Sequence, residues 1–121
     1  MSKDFPQLAK DLTASMREVR KGIPDTMKGF ADLAKAATAE GALSTRQKEL
    51  MATAIGIAIR CDGCIAFHVK AALRAGATRE EMLETIGMAV YMGGGPSSVY
   101  GSLALKAFDQ FQEQMEQHDA A

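Results

Sequence analysis

Two short motifs, each marking the start of a helix, constrain what this chain can fold into. Ser44 is followed three residues later by Gln47, and Thr78 is followed three residues later by Glu81. Each pair fits a capping box, in which the two side chains satisfy free N–H groups at the first turn of a helix. Apolar residues follow both pairs, so the sequence predicts a helix starting at each motif.

The remaining segments also carry helical rather than strand patterns. Ala, Met, Leu, Glu, Lys and Gln dominate the sequence, and all are good helix formers. No segment shows the alternation of apolar and polar residues that is typical of a strand. About six helices are predicted, starting near Phe5, Pro24, Ser44, Cys61 or Asp62, Thr78 and Pro96. The third and fifth are apolar on most sides, which indicates burial in the core or against another subunit. We therefore expect an all-α helical bundle, and the apolar helices leave open whether it is a monomer or a homo-oligomer.

The second helix and the methionines are expected to contribute to the core. Asp25 is the candidate cap of the second helix, and Gly41 is its candidate stop, because glycine accepts the left-handed conformation that closes many helices. The residues expected on its buried face are Met27, Phe30, Leu33 and Ala37. The chain has 8 methionines, and methionine at helical spacing usually fills core gaps.

Length and composition exclude several classes of protein. The chain has 121 residues, of which 47% are apolar and 24% are charged. These values fit one folded domain, residues 1–121, and not a disordered chain. The net charge is −1 and the basic residues are scattered, so neither nucleic acid nor a membrane surface is an expected partner. The N-terminus lacks the apolar segment of a signal peptide, and no apolar run is long enough to span a bilayer. We therefore expect a cytoplasmic protein.

Both cysteines lie in a single C-x-x-C pair, Cys61 and Cys64, and His68 follows four residues later. Steps of three and four place these side chains on one face of a helix. Cys61 is expected at the helix N-terminus, where the helix dipole favours a thiolate, and Asp62 could also cap this helix. In the cytosol such thiols are normally reduced, so the pair is more typical of catalysis or metal binding than of a structural disulfide.

Glu49 lies twelve residues before Cys61, which is roughly 18 Å along a straight helix. The two side chains share a site only if the chain turns near Arg60 and the fourth helix folds back beside the third. From spacing alone, Glu49 is a solvated helical residue. If the groups do converge, His68 can take the proton from Cys64 while Glu49 orients the imidazole. The thiolate could then attack a peroxide, and the second cysteine could close a disulfide.

Other functions remain open from these residues. Two cysteines and a histidine could bind zinc, but a structural zinc site requires four ligands. The fourth ligand would have to be Glu49 or water. No cofactor or metal is therefore expected. A thioredoxin-type site belongs to a βαβ setting, which the sequence lacks. A non-enzymatic redox switch or an interaction module would use the same cysteines and the apolar helices.

The spacing of Glu49, Cys61, Cys64 and His68 resembles the alkylhydroperoxidase D-like branch of the carboxymuconolactone decarboxylase family. The resemblance covers about residues 44–111, including the turn at 94–96. It implies an all-α fold that forms trimers or hexamers. It also implies a thiol-dependent peroxidase or disulfide oxidoreductase of antioxidant defence, with a hydroperoxide or disulfide substrate and an external dithiol reductant. The family's lactone decarboxylases are the alternative, but this cysteine pair does not mark them.

The resemblance also assigns roles within the site. It makes Cys64 the peroxide-reactive thiol, with Glu49 and His68 as its proton relay, and Cys61 the thiol that resolves it and meets the reductant. Helix-terminus chemistry instead favours Cys61 as the more acidic thiol. The best-studied members carry a further histidine directly before the second cysteine, where this chain has Gly63. This departure removes one relay donor, so peroxide and disulfide both remain open as substrates.

Overall fold

A computed structural model of the protein describes residues 3–120, and this range contains six α-helices and no strand. The all-α prediction is therefore confirmed. In chain order the helices are α1 (Phe5–Gly22), α2 (Pro24–Thr38), α3 (Thr45–Ala58), α4 (Asp62–Arg74), α5 (Arg79–Gly93) and α6 (Gly95–Ala120). None of them is long and apolar enough to cross a membrane.

The core lies where α3, α4, α5 and α6 meet. α3 packs along α4, α5 packs along α6, and α3 also contacts α5. The largest fully buried side chains are Phe5, Phe108, Phe111, Ile57, Ile65, Met82, Val69 and Thr53. Phe5 is the contribution of α1, which lies across α4 and α6. The amide of Gln110 holds the start of α1, because its Oε1 accepts from the backbone N of Phe5 and its Nε2 donates to the carbonyl of Lys3, both at 2.9 Å.

Both predicted capping boxes are present. The backbone N of Gln47 donates to Ser44 Oγ at 3.0 Å, and the backbone N of Ser44 donates to Gln47 Oε1 at 2.8 Å. Thr78 and Glu81 make the same reciprocal pair at 3.1 and 2.8 Å. These polar residues therefore fix where α3 and α5 begin.

A tight turn between α3 and α4 reverses the chain at Arg60. Arg60 adopts a left-handed backbone with φ of 60°. Its N–H donates to the carbonyl of Ile57 at 3.1 Å, and the N–H of Cys61 donates to the carbonyl of Gly56 at 3.0 Å. These two bonds define a Schellman motif, which usually has glycine where this chain has Arg60. The predicted turn is present, and it folds α4 back along α3.

α2 begins at Pro24 as predicted, but its cap, its end and its buried face were predicted wrongly. Ile23 rather than Asp25 occupies its N-cap position, and the helix ends at Thr38, before Gly41. Asp25 lies in the first turn, where its charge favours the helix dipole. α2 buries no residue, and Phe30 and Leu33 are 59% and 63% exposed. The reason is that α2 contacts only α1 and the adjoining α3, so its apolar stripe faces outward from this chain.

The methionines also lie mostly on the surface rather than in the core. Of the methionines in residues 3–120, only Met82 is buried. Met51, Met88 and Met92 are 50%, 59% and 76% exposed. We use the name exposed apolar face for the exposed apolar side chains of α3, its C-cap, α5 and α6, which are Met51, Ile55, Ile59, Met88, Tyr91, Met92 and Val99. The helices predicted to be apolar on most sides therefore show much of that surface to solvent in a single chain.

Candidate functional site

The structure brings Glu49 and His68 into direct contact. Glu49 Oε1 lies 2.7 Å from His68 Nδ1, although the residues are 19 positions apart. Glu49 is only 8% exposed, whereas the side chain of His68 is 37% exposed. Glu49 is thus a buried carboxylate facing α4 rather than the solvated residue that spacing alone suggested. A carboxylate at Nδ1 favours the tautomer that carries the proton there, which leaves Nε2 free to accept one.

Cys61 and Cys64 form a disulfide at the N-terminus of α4. Their Cα atoms are 5.2 Å apart, and both residues are half-buried. Cys61 is the N-cap residue, and its Sγ accepts a hydrogen bond from the backbone N of Cys64 at 3.1 Å. The helix terminus therefore stabilises negative charge on the Cys61 sulfur. Cys61 caps the helix in place of Asp62, which lies in the first turn.

Gly56 lets α3 and α4 approach closely at the disulfide. A Cβ placed on Gly56 would lie 3.1 Å from Cys64 Cβ and 3.7 Å from the Cys64 carbonyl carbon. Any larger residue would therefore press on the backbone that carries Cys64. Gly56 was not among the residues predicted for the site. Its position seven residues after Glu49, two helical turns along the same face, is the sequence feature that could have identified it.

Helix α1 covers the other side of the C-x-x-C loop. A Cβ placed on Gly63 would lie 2.9 Å from Leu12 Cδ1, so a side chain at this position requires Leu12 to move. Lys3 Nζ also forms an ion pair with Asp62 beside the disulfide. The space next to Gly63, where the best-studied members of the resembling branch carry a histidine, is thus filled by α1. This contact was not predicted, since nothing in the sequence pairs Leu12 with Gly63.

The cysteine pair, His68 and Glu49 therefore lie on the two facing helices α3 and α4. Cys64 and His68 are one turn apart on α4, and Glu49 reaches His68 from α3. In residues 3–120 no three side chains of His, Cys, Asp or Glu are grouped closely enough to hold a metal ion. What the arrangement offers is thiol chemistry: two sulfurs that can exchange between dithiol and disulfide, and an imidazole held by a carboxylate.

These features define an all-α protein with a thiol–disulfide centre between two antiparallel helices. The chain belongs to the carboxymuconolactone decarboxylase family, whose family model matches residues 24–107. This match begins at Pro24, earlier than the resemblance to residues 44–111, and so includes α2.

Solved structures share the fold over nearly the whole chain. A carboxymuconolactone decarboxylase family protein from Legionella pneumophila, solved in its apo form, is 51% identical with a TM-score of 0.88, covering 91% of this chain and 98% of that one. A family protein from Thermotoga maritima is 28% identical with a TM-score of 0.78, covering 96% of each chain. Involvement in an antioxidative response has been suggested for the Thermotoga protein.

Curated relatives are also similar along most of their length. An uncharacterized protein of Cupriavidus necator is 37% identical over 109 residues, covering 90% of this chain and 96% of the relative. An uncharacterized protein encoded in the cox locus of Paracoccus denitrificans is 35% identical over 98 residues, covering 81% and 88%. Neither description assigns an activity.

Proposed function

We propose that the protein is a thiol-dependent peroxidase or disulfide oxidoreductase of the alkylhydroperoxidase D-like branch. The observation that carries the proposal is the 2.7 Å contact between Glu49 and His68, one helical turn beyond the Cys61–Cys64 disulfide. A carboxylate that orients a histidine near a thiol is the general arrangement for an activated nucleophile. The suggested antioxidative role of the Thermotoga relative supports the same chemistry.

The proposed cycle starts from the reduced cysteine pair. His68 takes the proton from the Cys64 thiol, and Glu49 stabilises the imidazolium that forms. The thiolate attacks the outer oxygen of a hydroperoxide, the O–O bond breaks, and His68 returns the proton to the leaving alkoxide. Cys64 is thereby oxidised by two electrons to a sulfenic acid, and the hydroperoxide is reduced to an alcohol.

Cys61 then completes the oxidative half of the cycle. Its thiol condenses with the sulfenic acid, so that the S–S bond forms and water leaves. An external dithiol reduces the disulfide by exchange, attacking Cys61 first and releasing Cys64 as the thiol. The reductant is oxidised to its own disulfide, and both cysteines are restored. With a disulfide as the substrate, the same reduced pair would run only the exchange steps.

The proposal also covers the oligomeric state and the cellular location of the protein. We infer that residues 1–121 form one domain and that copies of it form a trimer or a hexamer through the exposed apolar face. Large apolar side chains exposed in this number are unusual on a monomer, whose exposed apolar residues are normally scattered singly. The need for a dithiol reductant fits a cytoplasmic location, where thiols are kept reduced.

The proposal is tested by two assays on the pure protein. One follows loss of cumene hydroperoxide with dithiothreitol as the reductant, and the other follows reduction of insulin disulfides. We expect wild-type turnover above the rate of dithiothreitol alone in at least one assay, and loss of that turnover in Cys64→Ser. Unchanged turnover in Cys64→Ser would overturn the assignment.

The Cys61→Ser variant separates the roles of the two thiols. With cumene hydroperoxide it should form a sulfenic acid on Cys64 that dimedone traps, because no second thiol can resolve it. Cys64→Ser should give no such adduct. Trapping on Cys61 in Cys64→Ser, with none on Cys64 in Cys61→Ser, would reverse the assigned roles and favour the more acidic helix-cap thiol as the nucleophile.

A further inference from the structure

A groove of about 360 Å³ runs between α1 and α4, on the side of α4 that faces α1. Three cationic side chains line it, Lys10 and Arg17 from α1 and Lys70 from α4. Ala9 and Phe67 supply apolar surface between them. The volume lies at the lower end of the range for small-molecule sites, about 300–1,000 Å³.

The cations of this groove are not paired with acidic side chains within residues 3–120. None of Lys10, Arg17 and Lys70 forms an ion pair there. Of the acids next to them in sequence, Asp11 accepts from Gln7 and Glu18 pairs with Lys21. In a chain whose net charge is −1, this local excess of positive charge creates a field that attracts an anion.

One of the groove cations, Lys70, has a lowered pKa. Its pKa lies below the ordinary value, first because the side chain is partly buried and then because the positive charges of Arg74 and Lys10 are close. The ammonium lies 5.8 Å from the centre of the Phe111 ring, which is an attraction to an aromatic face rather than to a carboxylate. A bound anion would lower the electrostatic cost of keeping these charges together.

The groove continues into a second depression of about 160 Å³ lined by Thr13, Met16, Arg20 and Phe67. Thr13 and Phe67 belong to both depressions. The ring of Phe67 therefore lines both depressions, and the second adds the apolar side chain of Met16 and a further cation, Arg20. A ligand that fills both needs an acidic group near the cations and an apolar body over Phe67 and Met16.

We propose that the α1–α4 groove binds an amphipathic organic anion, with its acidic group at Lys10, Arg17 and Lys70 and its apolar part over Phe67 toward Met16. This inference is independent of the redox proposal, because it uses no cysteine and neither Glu49 nor His68. Inorganic anions are poorer candidates, since they leave the apolar surface of Phe67 and Met16 uncovered.

The test titrates the full-length protein with decanoate, decanol and inorganic phosphate, using calorimetry and amide NMR shifts. We expect decanoate to bind, and its shifts to fall in residues 9–20 and 67–74. Arg17→Gln and Lys70→Gln should each weaken decanoate binding by roughly threefold to tenfold, as for partly exposed charge pairs. Lys35→Gln is the matched control, because it removes an exposed, unpaired lysine from α2 and should leave the affinity unchanged.

Four results would overturn the proposal. Decanol binding as tightly as decanoate would show that the cations take no part. Phosphate binding as tightly as decanoate would show a simple anion site without an apolar requirement. An equal loss of affinity in Lys35→Gln and Arg17→Gln, or shifts centred on the exposed apolar face, would show that the probe binds elsewhere.

Discussion

At the residue scale, the pairing of Glu49 with His68 is the feature that most changes the interpretation of the sequence. The C-x-x-C pair and the histidine can be read together from their spacing on one helix. Glu49 cannot, because its position depends on a chain reversal twelve residues away. The structure places its carboxylate 2.7 Å from the imidazole and buries it. A buried carboxylate that contacts a ring nitrogen can fix the orientation of the imidazole, which a solvated helical residue cannot do.

Glu49→Gln tests this pairing. The amide keeps the size of the side chain but removes the negative charge that stabilises an imidazolium. We expect peroxide or disulfide turnover to fall roughly tenfold to a hundredfold, less than the full contribution of an acid–base group because Glu49 acts through His68. Steady-state assays should show the loss mainly in kcat, with helix content by circular dichroism unchanged.

The matched control is Glu84→Gln, which removes an exposed carboxylate from α5. It should retain wild-type turnover. If Glu49→Gln also retained wild-type turnover, the Glu49–His68 contact would be structural only, and Glu49 would have no part in proton transfer.

Gly56 provides a second prediction at this scale. In Gly56→Ala the new methyl group would lie 3.1 Å from Cys64 Cβ, so the two helices must separate slightly. We expect a net destabilisation of about 1 kcal/mol, since overpacking outweighs the gain in helix propensity. Urea unfolding of the oxidised protein measures this difference.

Gly29→Ala is the control for Gly56→Ala, because a Cβ on Gly29 has no neighbour within 4 Å. It should stabilise the protein by roughly 0.5–1 kcal/mol. The close approach of α3 and α4 would be contradicted if both alanine variants were stabilised equally.

At the element scale, the starts of helices were predicted better than their ends and contacts. The capping boxes at Ser44 and Thr78 are formed by residues close in sequence, so they can be identified from the sequence alone. The end of α3 lacks the glycine that usually marks a Schellman motif, because Arg60 occupies the left-handed position. At the end of α4 the equivalent residue is Gly76, with φ of 97°. A turn at Arg60 could be proposed from the sequence, but its geometry could not.

The packing of α1 on α4 had no sequence signal at all. Contacts between helices distant in sequence depend on the whole arrangement, and the contact of Leu12 with Gly63 is of this kind. It gives a physical reason for glycine within the C-x-x-C motif. The stability of α1 on the site is therefore coupled to the residue at position 63.

A double-mutant cycle at Leu12 and Gly63 measures this coupling. Gly63→Ala alone should destabilise the protein, because its methyl group would meet Leu12 Cδ1 at 2.9 Å. In a Leu12→Ala background the space is open, and the same change should be neutral or slightly stabilising. We expect an interaction free energy of about 1 kcal/mol from urea unfolding of the four proteins. Strict additivity of the two changes would show that Leu12 does not occupy this space in solution.

At the scale of the whole molecule, the sequence predicted more buried apolar side chains than a single chain buries. Helical periodicity shows that a face is apolar, but it does not show what covers it. Phe30, Leu33, Met51, Met88 and Met92 were assigned to the core, yet they are exposed. The alternative given for the third helix, burial by another subunit, would account for the exposed apolar face.

Self-association through this face leads to a prediction about assembly. Met92 is 76% exposed and lies beside Tyr91, which is 80% exposed. Met92→Glu places a charge within the face, and burying it unpaired would cost several kcal/mol. Sedimentation velocity should therefore show a shift from a trimer or hexamer toward smaller species. Ser15→Glu adds the same charge at an exposed site on α1 and should sediment as the wild type does. A wild-type protein that is monomeric at tens of micromolar would contradict the proposed assembly.

The central claim is that Cys64, His68 and Glu49 act together as one redox site. Its most direct test is the single-turnover rate of disulfide formation after pre-reduced protein is mixed with excess cumene hydroperoxide. We expect a rate constant at least about tenfold above that of a free cysteine. His68→Gln and Glu49→Gln should each lower this rate constant by a similar factor, and Cys64→Ser should form no disulfide. Equal rates in the wild type, His68→Gln and Glu49→Gln would contradict the central claim.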